Sequence, residues 1–363
     1  MKKKLAIVFG VIVFMLFSLT ACGNSSEKTQ STDDSATTVM FTDSAGREVE
    51  LPKNINRIVS TGPLSQIILF ALAPDDLVAI NDEWNEKNKP YIDAGYYDLP
   101  VLGSVFGGAD LNVEQLVATN PQVIIDIGEA KDSIKKDMED LQVQTGIPVI
   151  HIDATINTMG DTFKTLGKLL NCKSQGEKLA SYCETTNKST LAIIDKVGAE
   201  NKTKVLYCLG SDGLSVMAEN SYHSEILNLV ANNVAKVDNP ASKGTGTAIN
   251  MEQLMIWDPD VILFAPDSIY DTVSSDSNWQ DLKAIKTRNY YEVPDGPYNW
   301  MGFPPSVQRY LGMMWMTDLF YPDKVDYNLY KEVSNFYKLF YHYDLSQSQF
   351  DKLMENSHRN ISE

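Results

Sequence analysis

Apolar residues along this chain occur in two patterns. Short segments with neighbouring apolar residues, at 57–60, 123–126, 148–153 and 204–208, have the length of buried strands, and stretches with apolar residues three or four positions apart lie between them. Buried strands that alternate with helices predict an α/β fold with parallel sheets. Residues 161–197 depart from this alternation, because helical spacing continues through them without a proline. We therefore expect one long helix there.

One segment of the sequence occurs twice. Residues 111–125 read LNVEQLVATNPQVII, and residues 249–263, which begin 138 positions later (249 minus 111), read INMEQLMIWDPDVIL. Each copy has an asparagine suited to cap a helix, then a Glu-Gln pair, and ends in a Pro-x-Val-Ile strand. A unit repeated at this distance predicts two lobes of like construction with a cleft between them, rather than a short-period solenoid.

These patterns predict two Rossmann-like lobes with central sheets, joined by one long interlobe helix and followed by extra C-terminal helices. The interlobe helix would be unbroken, with any kink near Gly176. The predicted segments are a signal peptide at 1–21, a disordered tether at 22–38, an N-terminal lobe at 39–160, the interlobe helix at 161–198, a C-terminal lobe at 199–322 and C-terminal helices at 323–363.

The N-terminus has the composition of a secretory signal. Basic residues at 2–4 precede an almost wholly apolar run at 5–19, which is shorter than the roughly 20 residues of a membrane-spanning helix. A small-residue cleavage site, Leu-Thr-Ala, stands directly before Cys22 and resembles the bacterial lipobox. We expect Cys22 to carry lipid and to hold the protein at the extracytoplasmic face of the membrane, with no spanning segment. The alternative is an ordinary secreted protein with an incidental cysteine.

The charge and composition of the chain exclude several classes of partner, cofactor and activity. The formal net charge of −17 repels nucleic acid and anionic headgroups, so we exclude both. The other cysteines, Cys172, Cys183 and Cys208, form no C-x-x-C pair, and we expect buried free thiols rather than a disulfide framework or a thiolate metal site. The four histidines are scattered, so we expect neither a bound metal nor another cofactor. The chain lacks a P-loop, a nucleophile elbow and G-x-G-x-x-G, which argues against an enzyme.

Several motifs together resemble the substrate-binding proteins of ABC importers for iron-siderophores, haem and cobalamin. The segments DSAGREVELP at 43–52 and RIVS at 57–60 resemble the first strands of that family, and the repeated N-x-E-Q-L…P-x-V-I resembles its paired signature. The similarity covers about residues 41–322. The segment WMGFPPSVQR at 300–309 resembles a subgroup variant, some of whose members bind molybdate- or tungstate-like oxyanions.

This resemblance implies a monomeric receptor that delivers a small ligand to an ABC permease and its ATPase, with little motion of the lobes. In such proteins one surface glutamate per lobe docks onto arginines of the permease, and by position these are Glu114 and Glu252. Simple helix capping is the alternative reading, because a helix dipole favours a first-turn carboxylate by roughly 0.3–1 kcal/mol. The two roles are compatible.

The ligand is expected where loops follow the carboxyl ends of the strands. Trp84 and Trp300 are the favoured stacking platforms because each lies in a polar loop, and Arg309 is the favoured anion clamp. The expected ligand is a metal chelate such as a ferric siderophore; oxyanions, haem and cobalamin are the alternatives. The candidate ligand-binding residues are Thr61, Trp84, Tyr97, Phe106, Tyr222, His223, Tyr298, Trp300 and Arg309.

Overall fold

The computed structural model describes residues 37–106, 109–241 and 244–359 of the chain. The predicted signal peptide, the lipid-attachment residue Cys22 and most of the predicted tether lie outside these residues. No helix within the described part of the chain is long and apolar enough to cross a bilayer.

The N-terminal lobe contains an antiparallel hairpin and a parallel sheet in the order β3-β4-β5. Every residue of the central strand β4 is buried, as expected for a parallel strand covered on both faces. The elements of this lobe are β1 (Thr38–Thr42), β2 (Glu48–Pro52), β3 (Ile58–Ser60), α1 (Pro63–Leu72), α2 (Val113–Ala118), β4 (Val123–Gly128), α3 (Ile134–Thr145) and β5 (Val149–Asp153).

Two helices, α4 (Met159–Leu169) and α5 (Lys173–Val197), occupy the segment for which one helix was expected. The chain turns between them at Asn171, whose φ of 56° lies in the left-handed region. They pack as an antiparallel pair in which a Cβ on Gly167 would lie only 3.1 Å from Cα of Gly176. The prediction of an unbroken helix over 161–198 is therefore wrong, and Gly176 permits close helix packing instead of a kink.

The C-terminal lobe has a sheet in the order β11-β10-β6-β7-β9, with β8 also paired to β6. Strands β6, β8, β10 and β11 run parallel, whereas β7 pairs antiparallel with β6 and β9 pairs antiparallel with β7. The elements of this lobe are β6 (Lys204–Leu209), β7 (Ser215–Val216), α6 (Glu225–Val230), β8 (Asn232–Asn233), β9 (Thr247–Ala248), α7 (Met251–Trp257), β10 (Val261–Phe264), α8 (Tyr270–Val273), α9 (Lys283–Lys286), β11 (Tyr290–Glu292) and α10 (Arg309–Phe320).

Two C-terminal helices, α11 (Leu329–Phe340) and α12 (Gln347–Leu353), complete the fold. The rings of Phe336 and Phe340 stack at 4.2 Å and are fully buried, so α11 belongs to the main core. The ring of Tyr91 in the N-terminal lobe packs edge-on against Tyr337 at 5.3 Å. The C-terminal helices therefore tie the two lobes together.

The repeated sequence forms the same unit in each lobe. The side chain of Asn112 accepts a hydrogen bond from the Gln115 amide at 3.0 Å, and Asn250 accepts one from the Gln253 amide at 2.9 Å. The Gln253 side chain also accepts a hydrogen bond from the backbone amide of Asn250 at 3.1 Å, which completes a capping box in the second copy. Each capped helix leads into a central strand, β4 or β10, as the repeat predicted.

Cys172, Cys183 and Cys208 are free thiols in the described structure, as expected. Burial raises the pKa of all three thiols, but Cys172 is only partly buried whereas Cys183 and Cys208 are fully enclosed. We expect iodoacetamide to label Cys183 and Cys208 at least about tenfold more slowly than Cys172 in the native protein, because labelling them requires local opening. Mass spectrometry of timed samples would measure this, and urea should equalise the three rates. Native labelling of Cys183 at its unfolded rate would contradict the prediction.

Candidate functional site

A cavity of about 350 Å³ lies between the two lobes. The carboxyl end of β6 supplies Tyr207, and the loop after β10 supplies Asp267. This is where an open α/β sheet binds its ligands, and the volume falls in the range of small-molecule sites. Its lining combines aromatic rings, amides and charges, from Asn85, Lys87, Asn88, Tyr207, Leu209, Ala265, Pro266, Asp267, Asp295, Pro297, Tyr298, Asn299 and Phe303.

Aromatic and amide groups form the wall of this cavity that belongs to the C-terminal lobe. The Tyr207 hydroxyl accepts a hydrogen bond from Nδ2 of Asn299 at 3.4 Å, and its ring lies 6.4 Å from the ring of Phe303. Burial raises the pKa of Tyr207 and of Tyr298, so both phenols stay protonated at neutral pH. Tyr298, a predicted ligand-binding residue, lines the cavity.

Residues 82–99, which we call the strap, cross from the N-terminal lobe to the other side of the cavity. Nε1 of Trp84 donates to the Tyr96 carbonyl at 3.0 Å, and the Tyr97 hydroxyl donates to the Ile92 carbonyl at 3.0 Å. Nδ2 of the buried Asn88 donates to the carbonyl of Pro297 in the C-terminal lobe. The strap is thus folded on itself and fixed to both lobes.

Lys87 on the strap forms ion pairs that span the mouth of the cavity. Its Nζ lies 3.0 Å from Asp267 Oδ2 and 2.9 Å from Asp295 Oδ2. Burial by itself would lower the pKa of Lys87, but hydrogen bonds to Asp295 and Asp267 outweigh it and raise the pKa. One ammonium is therefore shared by two carboxylates, and this rim keeps an excess of negative charge.

A second cluster adjoins the cavity through Phe303. The His223 ring stacks on the Phe303 ring at 5.1 Å, and the Tyr222 ring lies 5.5 Å from His223. Burial lowers the pKa of His223 and outweighs a backbone hydrogen bond at Gly302 that raises it, and the positive charge of Arg309 also lowers it, so this imidazole is neutral at neutral pH. Burial also raises the pKa of Tyr222.

Arg309 is not a free anion clamp. Its side chain is almost fully buried, and Nη1 lies 2.5 Å from Oε2 of Glu225. Nε donates to the Ser306 carbonyl at 3.3 Å. Although Arg309 stands beside Tyr222 and His223 as expected, its charge is already balanced by Glu225.

Four of the predicted ligand-binding residues make contacts within the protein and do not line the cavity. Trp84 is 2% exposed and Trp300 is fully buried, so neither ring is open to a ligand in this structure. Thr61 is also buried, and its hydroxyl donates to Asp126, whose other oxygen lies 2.7 Å from Nδ1 of His151. Tyr97 closes the strap through its hydrogen bonds to strap carbonyls.

Phe106 lies apart from the cavity lining, with Nζ of Lys131 4.0 Å above its ring. The structure therefore places Tyr298 in the cavity lining and brings Tyr222, His223 and Arg309 together beside Phe303, and it leaves the other candidates elsewhere. Sequence reasoning missed most of the lining residues, among them Tyr207, Asn299 and the ion-paired group of Lys87, Asp267 and Asp295. Only Tyr207 carried a usable signal, because it lies near the carboxyl end of a predicted parallel strand.

Residues 37–106, 109–241 and 244–359 contain no group of three or more His, Cys, Asp or Glu side chains that could hold a metal ion.

A two-lobed α/β fold with an aromatic and polar cavity at its strand ends defines a receptor for a small molecule. The chain belongs to the periplasmic binding protein family, which it matches over residues 58–297.

Similar proteins extend over most of the chain. The molybdate-binding protein MolA of Haemophilus influenzae is 23% identical over 333 residues, which cover 83% of this chain and 90% of that protein. The iron(3+)-hydroxamate-binding protein FhuD of Bacillus subtilis is 26% identical over 317 residues, covering 82% and 92%. The solved ABC transporter solute binding protein of Sulfurospirillum deleyianum has a TM-score of 0.80 and 26% identity, covering 87% of this chain and 99% of that one.

These relatives are binding components of ABC transporters and not enzymes. The suspected family, the α/β fold class and the non-enzymatic role are therefore confirmed. The chain is a periplasmic-type solute-binding protein of an ABC importer.

Proposed function

We propose that this receptor captures a metal chelate of neutral or positive charge, with a ferric hydroxamate as the model ligand, and delivers it to an ABC permease. The observation that supports this is the charge balance of the cleft. Lys87 and Arg309, the described basic side chains at the cavity and its adjoining cluster, are both engaged by carboxylates. A compact anion would have to compete with those carboxylates for either cation.

Chelate chemistry separates the possible ligands. Hydroxamates bind ferric ion as monoanions and catecholates as dianions, so a tris-hydroxamate complex is neutral and a tris-catecholate complex is strongly negative. The excess carboxylate at the rim favours the former. Tyr207, Tyr298 and Phe303 offer apolar faces, and Asn85 and Asn299 offer amides that can orient a chelate. The iron(3+)-hydroxamate-binding relative supports the same ligand class.

An oxyanion of the molybdate type is the second candidate. The molybdate-binding relative favours it, and so does the group of Tyr222, His223 and Arg309 beside the cavity. This reading requires the Arg309 guanidinium to leave Glu225 and to pair with the ligand. Haem and cobalamin are further chelates that the same aromatic wall could accept.

We further propose that a lipid anchors the receptor and that one glutamate on each lobe docks on the permease. We infer that Cys22 carries the lipid anchor at the extracytoplasmic face, on the strength of the small-residue site before it. Glu114 and Glu252 are exposed in the first turns of α2 and α7, and neither forms an ion pair with another described residue. They are therefore available to dock on the permease, which works with its ATPase.

Calorimetric titration against a panel of ligands tests the proposal. The panel contains a cationic and a neutral ferric hydroxamate, a ferric tris-catecholate, haem, cobalamin, molybdate and tungstate. We expect the hydroxamates to bind and the tris-catecholate and oxyanions to give no heat of binding. If only molybdate and tungstate bind, the oxyanion function replaces the chelate function.

Substitution of Lys87 by methionine sharpens this test. Without the Lys87 ammonium, the carboxylates of Asp267 and Asp295 at the cavity have no ion-pair partner there. The affinity for the cationic hydroxamate should therefore rise roughly three- to tenfold. Lys89→Met is the matched control, because Lys89 pairs with Glu86 on the strap and does not line the cavity. Equal affinities for both variants and the unmodified protein would place the ligand away from this rim.

A further inference from the structure

The two repeated helices expose apolar side chains directly beside their glutamates. On α7, Met255 and Ile256 follow Glu252 by three and four positions, so all three share one helix face. Met255 is 38% exposed and Ile256 is 74% exposed. The buried Leu254 anchors the other face of α7 in the lobe.

Helix α2 presents the same arrangement on the other lobe. Val117 and Ala118 follow Glu114 by three and four positions, and all three side chains are exposed, Val117 by 44%. Leu116 is fully buried at the position equivalent to Leu254. Each lobe therefore carries an exposed face with one carboxylate and two adjacent apolar residues.

Single exposed apolar residues are common and need no explanation. The solvent face of an amphipathic helix is ordinarily polar, however, and here apolar residues recur at the same two positions in both copies of the repeat. Helix capping accounts for the glutamates but not for the residues three and four positions later. A protein–protein docking surface accounts for both the glutamates and the apolar residues. Such a surface excludes water when the partner binds, and acidic and apolar groups on one face match a partner surface that is basic and apolar.

The duplication also indicates the symmetry of the partner. Two like faces on two like lobes fit a partner that presents the same surface twice, as a symmetric dimer or an internally duplicated protein does. We propose that Val117–Ala118 and Met255–Ile256 are the apolar parts of the docking surface for the two like halves of the permease, and that Ile256 is its strongest contact. This inference rests on the proposed delivery of ligand to an ABC permease.

The two faces differ in size, which predicts unequal contributions. Met255 and Ile256 together offer more apolar area than Val117 and Ala118 do. Few residues carry most of the affinity in a typical interface, and large side chains at the centre of the contact are among them. Substitutions on α7 should therefore weaken docking more than substitutions on α2.

The test measures binding of the receptor to its cognate permease–ATPase complex in lipid nanodiscs, by biolayer interferometry. Ile256→Ser should weaken docking about tenfold and Val117→Ser about threefold, because each loses buried apolar area in the complex. Val143→Ser is the matched control: Val143 on α3 is 85% exposed but lies outside the repeat, and its substitution should leave docking unchanged. Ligand titration of each variant should match the unmodified protein.

The possible outcomes separate this inference from the proposed function. If Glu114→Ala with Glu252→Ala abolishes docking while Ile256→Ser and Val117→Ser dock normally, the apolar surface is rejected and permease docking stands. If docking is equally weakened by Val143→Ser, contact is not confined to the repeated faces and the inference also fails. If the unmodified receptor does not bind the complex, the delivery function itself is overturned.

Discussion

Replacement of both Glu114 and Glu252 by alanine should reduce ligand uptake at least about 100-fold while leaving ligand affinity unchanged. Both side chains are exposed, and neither lines the cavity, so the ligand does not sense the change. Each carboxylate that pairs with a permease arginine would contribute about 1.5–3 kcal/mol through charge-assisted hydrogen bonds. Loss of both contributions, one on each lobe, would remove enough binding free energy to dissociate a transient receptor–permease complex.

Uptake of labelled ligand by intact cells measures this effect, and calorimetry of the purified double variant measures ligand affinity. Glu139→Ala is the matched control, since Glu139 is an exposed glutamate on α3 outside the repeat. Loss of two first-turn charges should cost at most about 2 kcal/mol of stability, which urea unfolding can verify. Weakened ligand affinity would place the glutamates in the binding site, and normal uptake would place docking elsewhere.

The repeat shows which parts of the fold a single sequence can predict. Asn112 and Asn250 cap their helices through hydrogen bonds to amides three residues later, which is a local geometry fixed by local residue types. The strands that follow are continuous apolar runs, and β4 and β10 are buried throughout. Local chemistry and burial agree here, so the prediction of two like-built lobes succeeded.

The interlobe segment shows where the same reasoning fails. Apolar spacing continues in phase through Leu170 and Cys172, and a turn of three residues does not interrupt a pattern measured over many residues. The signal for two helices was the close approach of Gly167 and Gly176, which appears only after the chain folds back. Helix boundaries of this kind depend on tertiary packing.

The candidate binding cleft was predicted less completely than the fold. The position of Trp84 and Trp300 in polar loops did not reveal that each indole turns into the core. Lys87 meets Asp295 across 208 positions of sequence, and no local pattern connects two such residues. Tyr222, His223 and Arg309 were predicted as neighbours of the ligand, but the partner that neutralises Arg309 was not.

Substitution of Glu225 by glutamine should destabilise the protein by about 2–3 kcal/mol. Arg309 is buried, and removal of its only carboxylate partner among the described residues leaves an uncompensated charge in the interior. The expected loss lies at the lower end for buried pairs because the Glu225 side chain is 37% exposed, so water screens part of the interaction. Urea unfolding measures the loss, and Glu219→Gln is the matched control, because Glu219 is an exposed glutamate in the loop before α6.

The same pair decides between the two ligand classes. If Arg309 is structural, Arg309→Met should leave hydroxamate affinity within about threefold, and the double variant with Glu225→Gln should be more stable than Glu225→Gln alone, because no unpaired charge is left. If Arg309 instead serves an oxyanion, Glu225→Gln should free its guanidinium and raise molybdate affinity about tenfold, since the ligand no longer competes with a carboxylate. Titration of Glu225→Gln with molybdate separates these cases: no binding assigns Arg309 to the fold, and a gain assigns it to the ligand.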